Sequence, residues 1–308
     1  MWRTVQVIVN ARAGANCGQR ILKNIQMALT KSGLKPFITL TRYRGHAQHL
    51  AREAVKNNFD LIISVGGDGT INEIINGMME WNDKLANLPV LGIISAGTGS
   101  DLCRTLHIPF DCNHALQIIL KGNVQPVDIG RAIFKDDARV WYRHFINVLD
   151  VGLGGNVVRI ANHIPKNLGG FATFLIASLL VLAIHRPSPL QIYIDGLFKD
   201  EGMVNIIGAA NGKYFGGGMK IAPMACLNDG YLEILYVKNT NIFQFITKVL
   251  LPVYQARHLL YKKLYHYRAQ KLKIVAEKKF LVDIDGEEEK AQEVEIILIP
   301  QKIKIIIP

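Results

Sequence analysis

Two spacings of apolar residues divide this chain. Up to about residue 130, short unbroken apolar runs alternate with segments in which apolar residues return every three or four positions. The runs at Val5 to Asn10, Phe37 to Arg42, Phe59 to Val65 and Val90 to Ile94 predict strands. Between them, Gln19 to Lys31 places Ile21, Leu22, Ile25, Ala28 and Leu29 on one helical face, and His46 to Asn57 does the same with Ala47, Leu50, Ala51, Ala54 and Val55. A third helix carries Ile71, Ile74, Ile75, Met78 and Met79. Alternating strands and helices with short connections predict a parallel, Rossmann-like sheet covered by helices.

From about Asp128 strand-like runs dominate: His144 to Val151, Leu190 to Asp195, Val204 to Ala210, Tyr231 to Val237, Leu272 to Ala276 and Phe280 to Ile284. The pairs Asp195-Gly196, Asn211-Gly212, Asp229-Gly230 and Asp285-Gly286 punctuate them as turns. This predicts an antiparallel β-sandwich with helices at roughly 154–184 and 242–260 added to it. The tail, VEIILIPQKIKIIIP, holds two short β runs. The expected organisation is an α/β domain over 1–130, a sandwich domain over 131–294, and a final strand at about 295–308 that returns to the first domain.

Composition adds compartment and partner class. The 308 residues, 49% of them apolar, suffice for about two ordinary domains and argue against disorder. A net charge of +11 favours anionic partners: nucleotides, nucleic acid or an anionic membrane surface. The stretch from Arg257 to Lys279 is dense in Lys and Arg, and reads either as a solvated face beside strands or as a surface that meets phospholipid. Cys17, Cys103, Cys112 and Cys226 have no metal-site or CxxC spacing, so reduced cytosolic thiols are expected. The N-terminus enters a strand pattern without a signal-peptide apolar region. Phe171 to Ile184 is apolar on nearly every face but shorter than the roughly 18–20 residues a membrane span needs, which predicts a buried or interfacial helix.

The chemistry concentrates in Gly66-Gly67-Asp68-Gly69-Thr70 (GGDGT), set between a strand and a helix. An α/β protein holds anionic ligands there, because the helix start offers unpaired N–H groups and a positive dipole end. Glycines let the backbone take positive φ and approach phosphate oxygens. A carboxylate among those glycines repels phosphate unless a metal ion intervenes, so Asp68 points to a nucleotide with Mg²⁺. A second Gly-rich turn, Ser95-Ala96-Gly97-Thr98-Gly99-Ser100-Asp101, follows the next strand, and Asn10 and Gly14 follow the first. GxxxxGK[ST], the protein-kinase HRD and DFG set, GxSxG and a His-based metal cluster are all missing. GLGGN at Gly152 to Asn156 is not GxGxxG and reads as a loop. No nucleic-acid-binding module is visible, and none is expected as a partner.

With these motifs in hand, the chain resembles the diacylglycerol kinase catalytic-domain family, the bacterial soluble lipid kinases related to sphingosine kinases. VNARAG at Val9 to Gly14, GHA at Gly45 to Ala47, GGDGTINEIINGM and GIISAGTGSDLCRTLHIP carry the resemblance in the first half. DIG at Asp128 to Gly130, FINVLDVGLGGNV, ANGKYFGGGMKIAPMACLNDGYLEI and DIDGE at Asp283 to Glu287 carry it in the second. GGDGT alone also occurs in NAD kinases and phosphofructokinases; the later elements select lipid kinases.

The resemblance implies a kinase of NAD-kinase and diacylglycerol-kinase architecture that transfers the γ-phosphate of ATP to diacylglycerol or a similar lipid alcohol. ATP would bind between the domains, held by Asn10, Thr41, Gly66, Gly67, Asp68, Gly69, Thr70, Gly97 and Thr98. Asp68 would act on Mg²⁺-ATP, and Asp101 and Asp128 would complete the charge network. Ser100 stands where many relatives have Asn. Glu287 is the candidate general base, although Asp285-Gly286 alone reads as a hairpin turn with Glu287, Glu288 and Glu289 as its solvated cap. In relatives the NDG segment holds a structural Mg²⁺; here Asn228 replaces an acid beside Asp229, with the backbone of Tyr231 as the remaining ligand. His46 is expected at a helix start near the nucleotide. The lipid would enter beside Phe171 to Ile184 and the Gly216-Gly217-Gly218 loop. The expected location is cytoplasmic, peripheral to the inner membrane face. Diacylglycerol, monoacylglycerol, phosphatidylglycerol, sphingoid bases and undecaprenol-like alcohols stay open as acceptors, as does homodimerisation; the alternatives are a kinase of a soluble acceptor such as NAD and a nucleotide-binding regulatory protein without turnover, against which the intact DGE at Asp285 to Glu287 argues.

Overall fold

The computed structural model describes residues 2–11, 13, 21–81, 88–97, 99–161, 176–182 and 187–308. Gly14, Cys17, Thr98 and half of the 171–184 stretch lie outside them. The chain forms two compact units, residues 1–127 with 301–308, and residues 128–300.

Unit 1 is built on β1 (Val5–Val9), β2 (Pro36–Leu40), β3 (Leu61–Gly66) and β4 (Val90–Ser95). All neighbours are parallel, in the order β4-β3-β1-β2. β1 and β3 are buried along their whole length, as continuous Val, Ile and Leu runs require when helices cover a sheet. Helices α1 (Leu22–Lys31), α2 (His46–Lys56), α3 (Asp68–Met79), α4 (Asp101–Thr105) and α5 (Cys112–Lys121) connect or follow the strands. Gly77 lets α2 and α3 cross closely, since a Cβ there would overlap the Gln48 carbonyl oxygen.

Unit 2 is antiparallel. Its elements are β5 (Val124–Lys135, entering from unit 1), β6 (Val140–Phe145), β7 (Val148–Gly152), α6 (Leu153–Ala161), α7 (residues 176–182), β8 (Ser188–Ile194), β9 (Leu197–Ala210), β10 (Leu232–Lys238), α8 (Ile242–Phe245), β11 (Leu264–Ala269), β12 (Lys271–Ile284) and β13 (Glu287–Ile306). β9 pairs with β8 through its first half and with β7 through its second, and β12 divides its pairing the same way. One apolar core, including Phe134, Phe145, Leu149, Ile192, Ile207, Ile274 and Ile296, fills the resulting β-sandwich.

Four local expectations change. The predicted helix at 242–260 is α8 followed by a π turn at Ile246–Leu250 and 3₁₀ turns at Pro252–Gln255 and Arg257–Leu260. Pro252 has no N–H to continue an α-helix, and Ala256 sits at φ 60°, which breaks it again. The runs at 272–276 and 280–284 are one strand, β12, with a bulge between Val275 and Phe280. The tail is likewise one strand, whose end pairs in parallel with β4 through Ile305 and Leu91. GLGGN is not a loop: Gly152, at φ 108°, turns the chain directly into α6.

Ile303, Ile305 and Ile306 are buried in unit 1. Ile305→Ala is therefore expected to lower unfolding free energy by about 2–4 kcal/mol in a denaturant titration; no change in midpoint would mean that the tail is not part of that core.

Candidate functional site

In unit 1 the expected residues gather at the C-terminal ends of β1, β2, β3 and the turn after β4. Gly66 ends β3, Gly67 is the N-cap of α3, and Asp68, Gly69 and Thr70 form its first turn. Gly66 and Gly67 serve close approach rather than unusual dihedrals, since Gly67 has φ −99° and Gly66 is not at positive φ; Gly69 has neither a positive φ nor any atom within 4 Å of where a Cβ would stand. A Cβ on Gly66 would lie 2.5 Å from Thr70 Oγ1, and one on Gly97 would lie 2.5 Å from the Gly67 Cα. The two Gly-rich turns thus press backbone against backbone.

Asp68 joins them. Its Oδ2 accepts the Asp101 N–H (3.1 Å) and its Oδ1 the Leu102 N–H (3.2 Å), the first two amides of α4. Loss of water pushes the Asp68 pKa up, while these amides pull it down. Its charge and, first, burial also push the Cys103 thiol up to about 12. The Asp68 and Asp101 carboxylates converge on Gly99, where a Cβ would lie 3.1 Å from Asp68 Oδ2 and 3.9 Å from Asp101 Oδ2. Arg104 Nε stands 3.8 Å from Asp101 Oδ1.

Around this pair the backbone is tied down. Asn10 donates its N–H to Val65 O (2.9 Å) and its side-chain amide to Thr70 Oγ1 (3.0 Å), and Thr41 N–H reaches Val9 O at 2.8 Å. Ser100 adopts left-handed backbone (φ 54°, ψ 42°), a conformation Asn tolerates better, and its hydroxyl lies 2.5 Å from Ser95 Oγ. Glu73 escaped the sequence reading. From α3 it accepts the N–H groups of Gly45 (2.8 Å) and Ala47 (3.1 Å), fixing the start of α2. His46 there stacks on Tyr43, accepts the Arg42 N–H at Nδ1 (3.1 Å), and has a pKa lowered chiefly by burial.

The other expected residues belong to unit 2. Asp128 is buried in β5, and its Oδ2 accepts the Gly230 N–H at 2.8 Å. Asp285, at φ 51°, takes three backbone N–H groups, from Ile146 (2.8 Å), Asn147 (3.0 Å) and Val148 (3.0 Å). Glu287 opens β13 opposite Ile284, half-buried. The expected solvated cap is only partly that: Glu289 pairs with Arg143 (3.1 Å) and accepts the Trp141 Nε1–H (3.3 Å).

Residues 4–132 match the family model of the diacylglycerol kinase catalytic domain, and residues 147–307 that of the YegS C-terminal NAD kinase beta sandwich-like domain. The chain belongs to the diacylglycerol kinase family. It is 30% identical to the diacylglycerol kinase of Bacillus subtilis (strain 168) over 290 residues, 92% of this chain and 90% of that one. A crystal structure of a putative diacylglycerol kinase from Bacillus anthracis str. Sterne superposes with a TM-score of 0.80 at 28% identity, covering 100% of this chain and 96% of the other. An NAD kinase from Archaeoglobus fulgidus shares the fold, with a TM-score of 0.54 at 16% identity over 98% and 93% of the two chains.

This lipid kinase departs from the family expectation at its NDG turn. Asp229 is the turn's one carboxylate, and the Arg268 guanidinium holds it at 2.6 Å while covering the Tyr231 ring at 4.3 Å. Asn228 Oδ1 accepts the Cys226 thiol at 3.1 Å, and Gln270 Nε2 donates to Gly230 O at 3.3 Å. Glu233, 3.8 Å from Arg268 Nε, is engaged by His266 at 2.5 Å. With a protein cation already on its carboxylate, the set Asn228, Asp229 and Tyr231 does not fit a structural Mg²⁺. No group of three acidic, His or Cys ligands occurs among the described residues.

A second unread feature is a buried acid pair. Asp150 and Asp283 are cross-strand neighbours on β7 and β12, each 2% exposed. Asp283 accepts the Gly286 N–H at 2.7 Å; neither Asp150 oxygen has a well-formed partner among the described residues. Burial pushes Asp150 up to about 7, and burial plus the Asp150 charge raises Asp283 as well. Gly154 is required beside them, since a Cβ would overlap the Asp150 carboxylate.

Two outcomes are expected. A carboxyl whose folded pKa is raised keeps its proton in the native state while the unfolded chain releases it, so its contribution to stability falls as pH rises from about 4 to about 7. Asp150→Asn should flatten the pH dependence of Tm in that window, with its relative stability improving toward pH 8; an unchanged slope would remove the pair as its cause. Without nucleotide, the NDG turn should contribute no cation-dependent rise in Tm, so any Tm difference between EDTA and Mg²⁺ should be the same in wild type and Asp229→Asn; a rise that Asp229→Asn abolishes would show that a metal occupies the NDG turn.

Proposed function

We propose that this kinase transfers the γ-phosphoryl group of Mg²⁺-ATP to the hydroxyl of diacylglycerol or a closely similar lipid alcohol, giving a phosphatidic-acid-type product at an anionic bilayer. The observation that carries the reading is the pair of contacting Gly-rich turns joined through Asp68. Their backbone N–H groups and the start of α3 favour phosphate oxygens, and an open parallel sheet takes ligands at the C-terminal ends of its strands. ATP as donor is in keeping with the family and with the similarly folded NAD kinase described in complex with ATP.

Asn10, Thr41, Gly66, Gly67, Gly69, Thr70 and Gly97 shape the nucleotide cradle in this reading, with Thr98 between Gly97 and Gly99. Asp68 and Asp101 are the carboxylates that would hold the nucleotide's Mg²⁺, and their convergence on Gly99 fits a divalent cation. The ion supplies neutralisation of the phosphate charge. Asp68 also keeps α4 and the second turn in place through two amides. Asp128 acts at one remove, holding the NDG turn through Gly230.

Glu287 is the general base. The lipid hydroxyl oxygen forms its bond to the γ-phosphorus, the bond to the β–γ bridging oxygen breaks, ADP leaves, and the hydroxyl proton passes to the Glu287 carboxylate. Asp285, saturated by three backbone donors, is a hairpin anchor and not a second base.

Mixed micelles of detergent and diacylglycerol with radiolabelled ATP test the assignment. Labelled phosphatidic acid is expected from the wild type, and Asp68→Asn and Glu287→Gln are each expected to lose about 10²-fold or more in kcat, with Tm unchanged in Glu287→Gln and lowered in Asp68→Asn, whose amide can accept only one of the two α4 N–H groups. Full turnover in either variant removes that residue's role. Labelling of another lipid alcohol in place of diacylglycerol overturns the acceptor.

A further inference from the structure

The region between β10 and β11 breaks the usual rule that a helical segment turns a polar face to water. Phe245, Val249, Leu250 and Val253 pack inward, in one apolar cluster with Ala177, Val181 and Leu182 of α7. The outward positions are apolar as well: Phe243 is 75% and Leu260 85% exposed, with Ile242 and Leu251 also exposed. α7, whose inner side chains join that cluster, exposes Ile176, Leu179 and Leu180.

Charge surrounds these side chains with one sign. Residues 239–263 contain Lys248, Arg257, Lys262 and Lys263 and not a single Asp or Glu. Lys248, Arg257 and Lys262 are exposed and have no ion-pair partner among the described residues. Farther along the basic run Arg268 pairs with Asp229, Lys273 with Glu293 and Lys279 with Asp136, while Lys271 and Lys278 are exposed and have no ion-pair partner among the described residues. Asp200, on neighbouring β9, is paired with Lys238. The strand half of the basic run is thus partly neutralised within its own unit, whereas Lys248, Arg257 and Lys262 of the helical segment meet no acidic partner there.

We propose that the broken helical segment 242–260, flanked by Lys248, Arg257 and Lys262, is the surface by which this kinase docks on an anionic phospholipid bilayer. Phe243, Leu251 and Leu260 enter the headgroup–acyl boundary, and the three cations meet lipid phosphates. Large exposed apolar groups in a segment whose charged side chains are all positive match a membrane interface in both terms. No helix among the described residues is long and apolar enough to cross a membrane, so the contact is interfacial at this surface. The breaks at Pro252 and Ala256 spread the apolar residues over several short turns, a flatter footprint than one helix would give. The proposal rests on the reading that the acceptor is a membrane lipid.

Sedimentation with vesicles of phosphatidylcholine, with or without phosphatidylglycerol, tests it. The wild type should pellet with the anionic vesicles and be released by high salt. Phe243→Ser/Leu251→Ser/Leu260→Ser should weaken binding by at least about 10-fold. Lys248→Gln/Arg257→Gln/Lys262→Gln should weaken it by on the order of 100-fold and abolish the salt dependence. Both variants should retain the wild-type melting temperature and phosphorylate a dispersed short-chain diacylglycerol at the wild-type rate. Vesicle binding that is absent in the wild type, or unchanged in both variants, overturns the proposal. A wild-type dimer that the apolar variant converts to monomer also overturns it, assigning the face to a second copy. Failure of the acceptor reading would look different: the short-chain diacylglycerol would go unphosphorylated by every protein, whatever the vesicles report.

Discussion

The contact between Gly67 and Gly97 sets the terms for the nucleotide end of this kinase. A Cβ on Gly97 would stand 2.5 Å from the Gly67 Cα and one on Gly67 3.1 Å from the Gly97 Cα, so the two loops after β3 and β4 lie this close as glycine backbone. Once they do, the Asp68 carboxylate is within reach of the first amides of α4, and the two turns become one unit. Asn10 ties the loop after β1 to the same helix start through Thr70, and Glu73 ties the start of α2 to α3. Donors that would otherwise need water or ligand are thereby sorted: some are satisfied by carboxylates, and the rest are the ones the proposed nucleotide's phosphates would take up.

Unit 2 uses carboxylates in the same way, as anchors for backbone turns. Asp285 gathers three amides at the β6–β7 junction, Asp128 holds Gly230, and Asp229 is held by Arg268. Charge-assisted bonds of this kind are short and directional, which suits a hairpin that would have to present the proposed base, Glu287, in one orientation. Asp150 and Asp283 are the exception. Two carboxyls side by side under a helix start, without a cation, lower stability when both ionise, so this is where the fold concedes energy. That concession stands next to the turn that carries the proposed base.

What was legible in the sequence was local. GGDGT between an apolar run and a helical period announces its own strand–turn–helix, and the parallel sheet follows from the alternation. The reason for the glycines was not legible: it lies in a neighbouring turn, not in φ. Asp150 and Asp283 could not be paired by eye, because only the β7–β12 register sets them opposite. Arg268 read as one more residue of a basic run, whereas β11 delivers its guanidinium to Asp229. Asn228 was the visible departure at that turn, one acid fewer beside Asp229. Pro252 was a readable signal against a continuous helix through 242–260 that the prediction passed over; the left-handed Ala256 carries no such signal.

Amide hydrogen exchange with and without Mg²⁺-ATP tests the central claim most directly. The account predicts new protection in peptides covering Asn10, Thr41, residues 66–70 and residues 96–102, and none in the sandwich core strands β8 and β12. Protection confined to other segments, with those four unchanged, would contradict it.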